Sequence, residues 1–568
     1  MPATVPDTPP DLLAEDPDDA PAGGASGAAS AATPGVAAGN PGQDVGRASE
    51  DAAGAGPPDL ASIRVPLEIK ALVAVAVMAG LALRFVARSP LWLDEALSVN
   101  IARLPLGEIP EALHHDGHPP LYYALLHLWM GAVGTGDTAV RALSGLFAVA
   151  ALPLAFLAGR RRGGPVLAWI TLGVFAVSPF VLRYATETRM YSLLTLLVLA
   201  GYLLLDDVVR RGRDGWGRVA ALTLIVAGLL YSHYWTMWLL ASVGVVLLVV
   251  GRRSAPGDAV RRGCRRALAA LVAGGVLFLP WVPTLLYQSR HTGTPWAGPL
   301  RPGSVLGSTL TDFGGGDFKD AQFVGGVLLV LLLLGIFGRA IDSRRIELDL
   351  RTTKQLRPEA AVLALTLLLG VLVSYATWSA FVTRYASAFL PVFLLIAAAG
   401  VTRFTDRWVR SGVFLVVLAL LGFGCVYNLT KPRTQAGPIT ARVAEKARAD
   451  DVVVYCPDQL GPAELRLMPP GLRHVGYPTL REPDRIDWVD YGATNAVDPA
   501  AYAQQVLDFA GPDHGVFVVW SGGYKTHEGT CEKFLDALSA TRPAPQTVVS
   551  EDGDTYYEHA NLWYYPGS

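Results

Sequence analysis

Asp94 and Glu95 stand side by side in the stretch LWLDEALSVN (91–100), just beyond the first long apolar run of the chain. A positioned carboxylate is a general base: it takes the proton from a hydroxyl, which is a poor nucleophile until that proton leaves. Other polar clusters follow. HHDGHPPLYY (114–123) supplies His114, His115, Asp116 and His118, and RYATETRMY (183–191) supplies Arg183, Glu187, Arg189 and Tyr191. His233 and Tyr234 interrupt a later apolar stretch, and VTRYAS (382–387) carries Arg384 and Tyr385. Arginine pairs with planar oxyanions through two parallel hydrogen bonds, which suits it to phosphate. The three histidines have helix-like spacing for a metal. Each group alone also has an ordinary reading: carboxylates cap or solvate helix ends, arginines snorkel toward head groups, loop histidines are polar surface and tyrosines form interfacial belts.

The elements that must position these groups are membrane helices. Of 568 residues 51 % are hydrophobic and 17 % charged, and mean hydropathy is positive, a balance that marks an integral membrane protein. The formal net charge of −2 leaves no basic face for a nucleic acid, so nucleic-acid binding is excluded. Residues 1–65 are rich in Ala, Gly, Pro and Asp and too poor in branched and aromatic side chains to offset the entropy of ordering. They read as a disordered acidic tail. The start has no n-region, h-region and cleavage site, so the first apolar run reads as a retained anchor.

Apolar runs of about 17–25 residues span a bilayer. Eleven occur, near 67–87, 137–159, 165–182, 188–207, 218–232, 235–251, 267–288, 322–340, 359–377, 385–402 and 411–428. The segment from His118 to Gly134 holds only about 15 apolar residues beyond its prolines, which is short for a span. Parity assigns it. Left uncrossed, it brings GRRRGG (159–164), RRGRDGWGR (210–218) and the later basic loops to one face, the cytoplasmic one by the positive-inside rule. It therefore reads as a re-entrant or interfacial helix, started by Pro119 and Pro120, within a first external loop.

The expected fold is a polytopic α-helical membrane protein of the cell membrane, with about eleven transmembrane helices over 66–430 and a cytoplasmic N-terminus. Residues 431–568 change character. DVVVYC, HVGYPT, GVFVVW, QTVVSE and NLWYY read as strands, and DPAAYAQQVLDFA and CEKFLDALSA as helices, which predicts a small extracytoplasmic α/β domain. In that compartment a disulfide persists, so Cys456 and Cys531 are expected to pair, and Cys264 and Cys425 to be buried thiols.

With this topology the unusual polar groups fall on one external face, where ionisable side chains at a membrane are costly unless used. LDE after the first span, D-G-HPPLYY in the first loop, E-T-RMYSL after the third span and RY before a late span together resemble bacterial members of the C-type glycosyltransferase superfamily. The likeness, over 67–430, is to the protein-O-mannosyltransferase and lipid A aminoarabinose transferase branch. It implies a polyprenyl-phosphate-sugar donor and transfer to an acceptor hydroxyl on the non-cytoplasmic face, with inversion. Asp94 matches the general base, Glu95 orients Asp94 or the acceptor, and Asp116 is a second acid of the loop. His118, Arg189 and Arg384 are the phosphate-binding candidates, with Tyr191 and Tyr385 as supporting donors. His118 stands where the aminoarabinose transferases carry lysine. Tyr122, Glu187 and His233 are expected to line the cavity.

The sugar remains open, and the acceptor is a protein, a glycan or a lipid; a divalent metal is neither required nor excluded. A transporter or flippase of a lipid or glycan is the competing class. Transporters place ionisable residues near the midplane and often show repeats. Here midspan positions are Leu, Val, Ala and Gly, charges sit at one edge, and no repeat is visible. A scaffold acting through its tail would leave the first-loop carboxylates unexplained.

Overall fold

A forty-residue helix, Asp137–Ala176, shows how the sequence folds the membrane part. It is two legs broken at Gly163 and Gly164, and Gly164 adopts φ 79°, a left-handed conformation that a residue without Cβ takes at little cost. Pro165 then opens the second leg. The computed structural model describes residues 65–292, 300–376, 381–494, 496–542 and 544–567; the expected acidic tail (1–65) lies almost wholly outside them.

Among the described residues six helices are long and apolar enough to cross a membrane, Asp137–Ala176, Tyr191–Val209, Thr236–Arg253, Ala259–His291, Arg357–Ala376 and Arg407–Thr430. The remaining apolar runs form shorter helices, among them Leu67–Leu83, Trp216–Ser232, Ala321–Phe337 and Leu390–Val401. Leu121–Val133, thirteen residues starting after Pro120, is about 20 Å long at 1.5 Å per residue and too short to span. The basic turns gather at one end. Arg162 and Arg210 both pair with Glu359 (3.0 and 2.9 Å), and Arg262 and Arg266 both pair with Asp214 (2.9 and 3.1 Å). The short hairpin β1 (Gly338–Ala340) and β2 (Ile346–Leu348) joins helices Ala321–Phe337 and Arg357–Ala376.

Beyond Thr430 the chain builds a five-stranded sheet. Its strands are β3 (Val452–Cys456), β4 (Arg473–Gly476), β5 (Val516–Trp520), β6 (Gln546–Val549) and β7 (Asn561–Tyr565), in the order β4-β3-β5-β7-β6. β4, β3 and β5 are parallel, and β7 is antiparallel to both β5 and β6. Alternate residues of β3 face opposite cores, with Val452, Val454 and Cys456 toward helices Pro499–Ala510 and Thr530–Thr541, and Val453 and Tyr455 toward helix Ala436–Lys446. That period of two explains an uninterrupted apolar run in a strand covered on both faces. Cys456 and Cys531 are joined in a disulfide, and Cys264 and Cys425 are buried free thiols.

Among the described residues the sheet and the helices form one compact unit. Trp92, Leu93 and Leu97 pack with Ile486, Trp488 and Tyr491, Arg466 pairs with Asp137 at 2.9 Å, and Thr434 bridges in parallel to Glu558. The carboxyl ends of the parallel strands point into this junction: Asp458, Thr479 and Tyr524, each just beyond a strand, line cavities there. Open α/β sheets bind ligands at that end.

Candidate active site

Asp94 and Glu95 occupy the first turn of helix Leu93–Ala102, where the helix dipole favours carboxylates. Successive residues of a helix point about 100° apart, so the two acids diverge. Asp94 faces a cavity of about 630 Å³; Glu95 is turned into the protein and fully buried. Arg384 Nη1 donates to Asp94 Oδ2 at 2.8 Å, and Arg189 Nη2 stands 3.8 Å from the same oxygen. Among the described residues Asp94 Oδ1 has no hydrogen-bond partner. Burial alone would raise the Asp94 carboxyl, but Arg384 and Arg189 outweigh it and hold it below the usual carboxylate range.

Glu95 serves architecture. It receives Arg141 through both oxygens, the Thr188 N–H at 2.9 Å and Arg433 at 3.4 Å, and these cations outweigh burial to keep it ionised. Arg141 also donates to the Ser89 carbonyl at 2.6 Å. Through Arg141, Glu95 thereby ties down the backbone at Ser89 and Pro90 that leads into the Asp94 helix.

Helix Ile109–Asp116 ends at Gly117, whose φ of 87° closes it and turns His118 toward Asp94. Asp116 Oδ2 meets His118 Nδ1 at 2.8 Å and accepts from Tyr123 Oη at 3.1 Å. Arg189 Nη2 donates to His118 Nε2 at 3.1 Å. Since guanidinium only donates, Nε2 is the acceptor and His118 is a neutral ring with its proton on Nδ1, donated to Asp116. Asp116, His118 and Arg189 thus form a chain that aims the guanidinium. Arg189 Nη1 also donates to the Asp94 carbonyl and to Ser98 Oγ at 3.3 and 3.2 Å.

Of the sequence-derived candidates, Asp94, Asp116, His118, Arg189, Arg384 and Tyr385 line the cavity. Tyr191, Tyr122, Glu187 and His233 do not; this corrects the expectation that the last three form its wall. All four are buried behind it. Tyr122 lies on the face of its short helix turned toward Ser144, 3.0 Å away. The His233 ring is wedged 5.1 Å from Tyr385 and 5.8 Å from Tyr191, and burial with the nearby cationic groups holds it neutral. Burial raises the Glu187 carboxyl despite Arg433 and Arg183.

The histidines of the first loop diverge. His114 stacks on Tyr287 (3.9 Å), His115 meets Asp487 (2.9 Å) and His118 meets Asp116. Among the described residues no group of three or more His, Cys, Asp or Glu stands together as a metal site. In the cavity Asp94 pairs with Arg384, and Asp116 with His118 and Tyr123.

Sequence reasoning missed the tail's share of the cavity. Ser521, Gly523, Tyr524 and Thr526, and after them Tyr557, Glu558 and His559, complete its wall. Glu558 Oε1 accepts the N–H of Leu93 at 3.2 Å, capping the helix that carries Asp94. Among the described residues its Oε2 is buried without a hydrogen-bond partner, and burial pushes its carboxyl up to about 8.

The arrangement places a carboxylate, two guanidiniums and a tyrosine around one cavity between helices and an α/β unit, and solved structures share the fold that holds it. ArnT from Cupriavidus metallidurans bound to undecaprenyl phosphate superposes with a TM-score of 0.51 at 14 % identity, over 87 % of this chain and 97 % of that one. The chain has the C-type glycosyltransferase fold of ArnT. The apo form of ArnT gives 0.52 over the same shares. The Archaeoglobus fulgidus oligosaccharyltransferase, another glycosyltransferase of this fold, matches at 0.45 and 11 % identity over 79 % of this chain and 69 % of that one. No family model and no curated protein matches the chain.

Proposed function

We propose that the protein is a cell-membrane glycosyltransferase that moves a sugar from a polyprenyl-phosphate donor to an acceptor hydroxyl on the extracytoplasmic face, with inversion. The observation that carries this reading is the shared cavity wall. Asp94, one oxygen held and the other turned to the cavity, stands beside two arginines whose cationic forks suit a phosphate. The fold of ArnT, a protein solved with undecaprenyl phosphate bound, agrees with it.

The proposed step is a single displacement. The acceptor oxygen attacks the anomeric carbon as its proton passes to Asp94, and the bond from that carbon to the phosphate oxygen breaks, its electron pair leaving with the polyprenyl phosphate. Arg384 and Arg189 stabilise the charge developing on the phosphate, and Tyr385 supports them from the cavity wall. His118 acts as a neutral positioner for Arg189. When the phosphate draws the guanidiniums toward itself, Asp94 loses part of the pairing that keeps it a weak base, and its basicity rises as the proton must move.

The eleven-crossing topology follows from the same reading. The gathered basic turns lie on the cytoplasmic side and the sheet domain, residues 431–568, on the opposite side. The decisive experiment is release of radiolabelled sugar from a panel of polyprenyl-phosphate sugars by the protein in lipid, with wild type compared against Asp94→Asn. Loss of release in the variant alone supports the reading; a donor panel untouched by wild type, even with envelope extract as acceptor, sinks it.

A further inference from the structure

A second cavity, of about 470 Å³, opens on the far side of Leu97 and Asp116, which line both spaces. Helix Ile109–Asp116 forms one wall. The segment Pro478–Asp487 of the sheet domain, with Asp458 from the end of β3, forms the other. The walls are fastened to each other: Asn100 Nδ2 donates to the Asp484 carbonyl at 2.6 Å, the Trp488 N–H donates to the His115 carbonyl at 3.0 Å, and the His115 ring meets Asp487 at 2.9 Å. The space is therefore preformed.

We propose that this cavity binds the acceptor and that the acceptor is an uncharged glycan, an assignment that rests on the transferase reading above. Charge comes first. Seven aspartates and glutamates line the cavity against two arginines and one histidine, so a phosphorylated or carboxylated acceptor meets like charge. A sugar brings hydroxyl donors, which carboxylates accept in charge-assisted hydrogen bonds, while Leu97, Ile101, Leu104, Pro478, Pro483 and Ile486 offer apolar surface for its C–H faces.

The floor is rigid. Tyr491 Oη donates to Asp458 Oδ1 at 2.7 Å and accepts from Gln459 Nε2 at 3.0 Å. Its hydroxyl has one proton, so His527 Nε2, 3.1 Å away, donates to it. Asp458 is 8 % exposed and faces the cavity, and Gln459 faces the 630 Å³ cavity, so one hydrogen-bonded network braces both spaces. Leu97 lies one helical turn beyond Asp94. A glycan end passing over Leu97 and Asp116 delivers its terminal hydroxyl to the Asp94 carboxylate.

The test is direct binding of the full-length protein, held in lipid nanodiscs, to an array of neutral oligosaccharides and their phosphorylated and uronate-bearing counterparts. The expected result is retention of neutral members, weakened tenfold or more in a Glu111→Arg, Glu482→Arg double variant. Both positions are exposed, so the change leaves the core intact. The proposal is overturned by failure to retain any neutral oligosaccharide, by equal retention in the double variant, or by preference for the anionic counterparts or for vesicles of anionic phospholipid. Cleavage of donor by wild type, read in the same preparations, judges the transferase reading separately.

Discussion

Arg384 Nη1 lies 2.8 Å from Asp94 Oδ2, although 290 positions separate the two residues in the chain. The fold thus places the nearest cationic partner of Asp94 on the cavity wall, and in the proposed reaction that one cation serves both the base and the leaving phosphate.

Arg384→Ala is expected to weaken donor use. Losing hydrogen bonds to a charged group costs roughly 1.5–3 kcal/mol, on the order of a tenfold to hundredfold rise in donor KM. Arg384→Lys should recover only part of this, because an ammonium lacks the planar fork. Steady-state kinetics against donor concentration decide it, and an unchanged KM in the alanine variant would make the arginine structural.

Asp94→Asn should fold and insert normally yet lose about 10²–10⁴-fold in transfer, the usual worth of a general base. Because Arg384 and Arg189 hold Asp94 below the usual carboxylate range, the acid limb of the wild-type pH–rate profile should also lie below that range. Near-normal turnover by the asparagine protein would remove Asp94 from the chemistry.

Glu95 and Arg141 predict a different phenotype from their neighbour. Breaking a buried pair by removing one partner costs about 3–5 kcal/mol, so Arg141→Ala should lower protein yield and thermal stability. A well-folded but inactive Arg141→Ala protein would contradict the architectural role drawn from the burial of this pair.

Two acids of the sheet domain set a pH dependence. Burial raises Glu558 to about 8 and Asp458 to about 7, so the folded chain binds more protons than the unfolded one between the ordinary carboxylate range and about pH 8. Stability therefore falls as pH rises through that window, by up to about 1.4 kcal/mol per pH unit for each group. Glu558→Gln, permanently neutral, should flatten the decline of Tm between pH 5 and pH 9, and a slope equal to wild type would refute the assignment.

Cys456 and Cys531 close a loop across 75 positions, and removing a native disulfide from a small domain costs about 2–5 kcal/mol. Cys456→Ser should shift mobility on nonreducing gels and lower Tm, to the same extent as reduction of wild type.

Much of this was legible in the sequence because the signals were local. Long apolar runs marked helices, short uninterrupted runs of valine and aromatic residues marked β3 and β5, and the polar clusters of four loops marked one face. What was not legible lies in contacts distant along the chain. Nothing in LDE tells that Asp94 faces a cavity while Glu95 faces Arg141, because that depends on how their helix is rotated against its neighbours. Tyr122, Glu187 and His233 were placed on the wall by the chemistry of their side chains, whereas burial puts them behind it. The stretch WSGGYKTHEGTC (520–531) has no spacing that suggests chemistry, since its contribution comes from lying at and beyond the end of β5. For Glu558 the sequence held no sign beyond a carboxylate near two tyrosines and a histidine.

The bond from the Leu93 N–H to Glu558 joins residues 465 positions apart. A ribosome thus delivers the helix bearing Asp94 to the membrane long before it has made the residue that caps it. Throughout that interval Trp92, Leu93 and the open end of the helix have no sheet domain to cover them. On the proposed reaction and topology, catalytic competence arrives late in biogenesis, after the last strands have crossed the bilayer and docked, and a nascent chain stalled in export holds Asp94 and both arginines without a finished site.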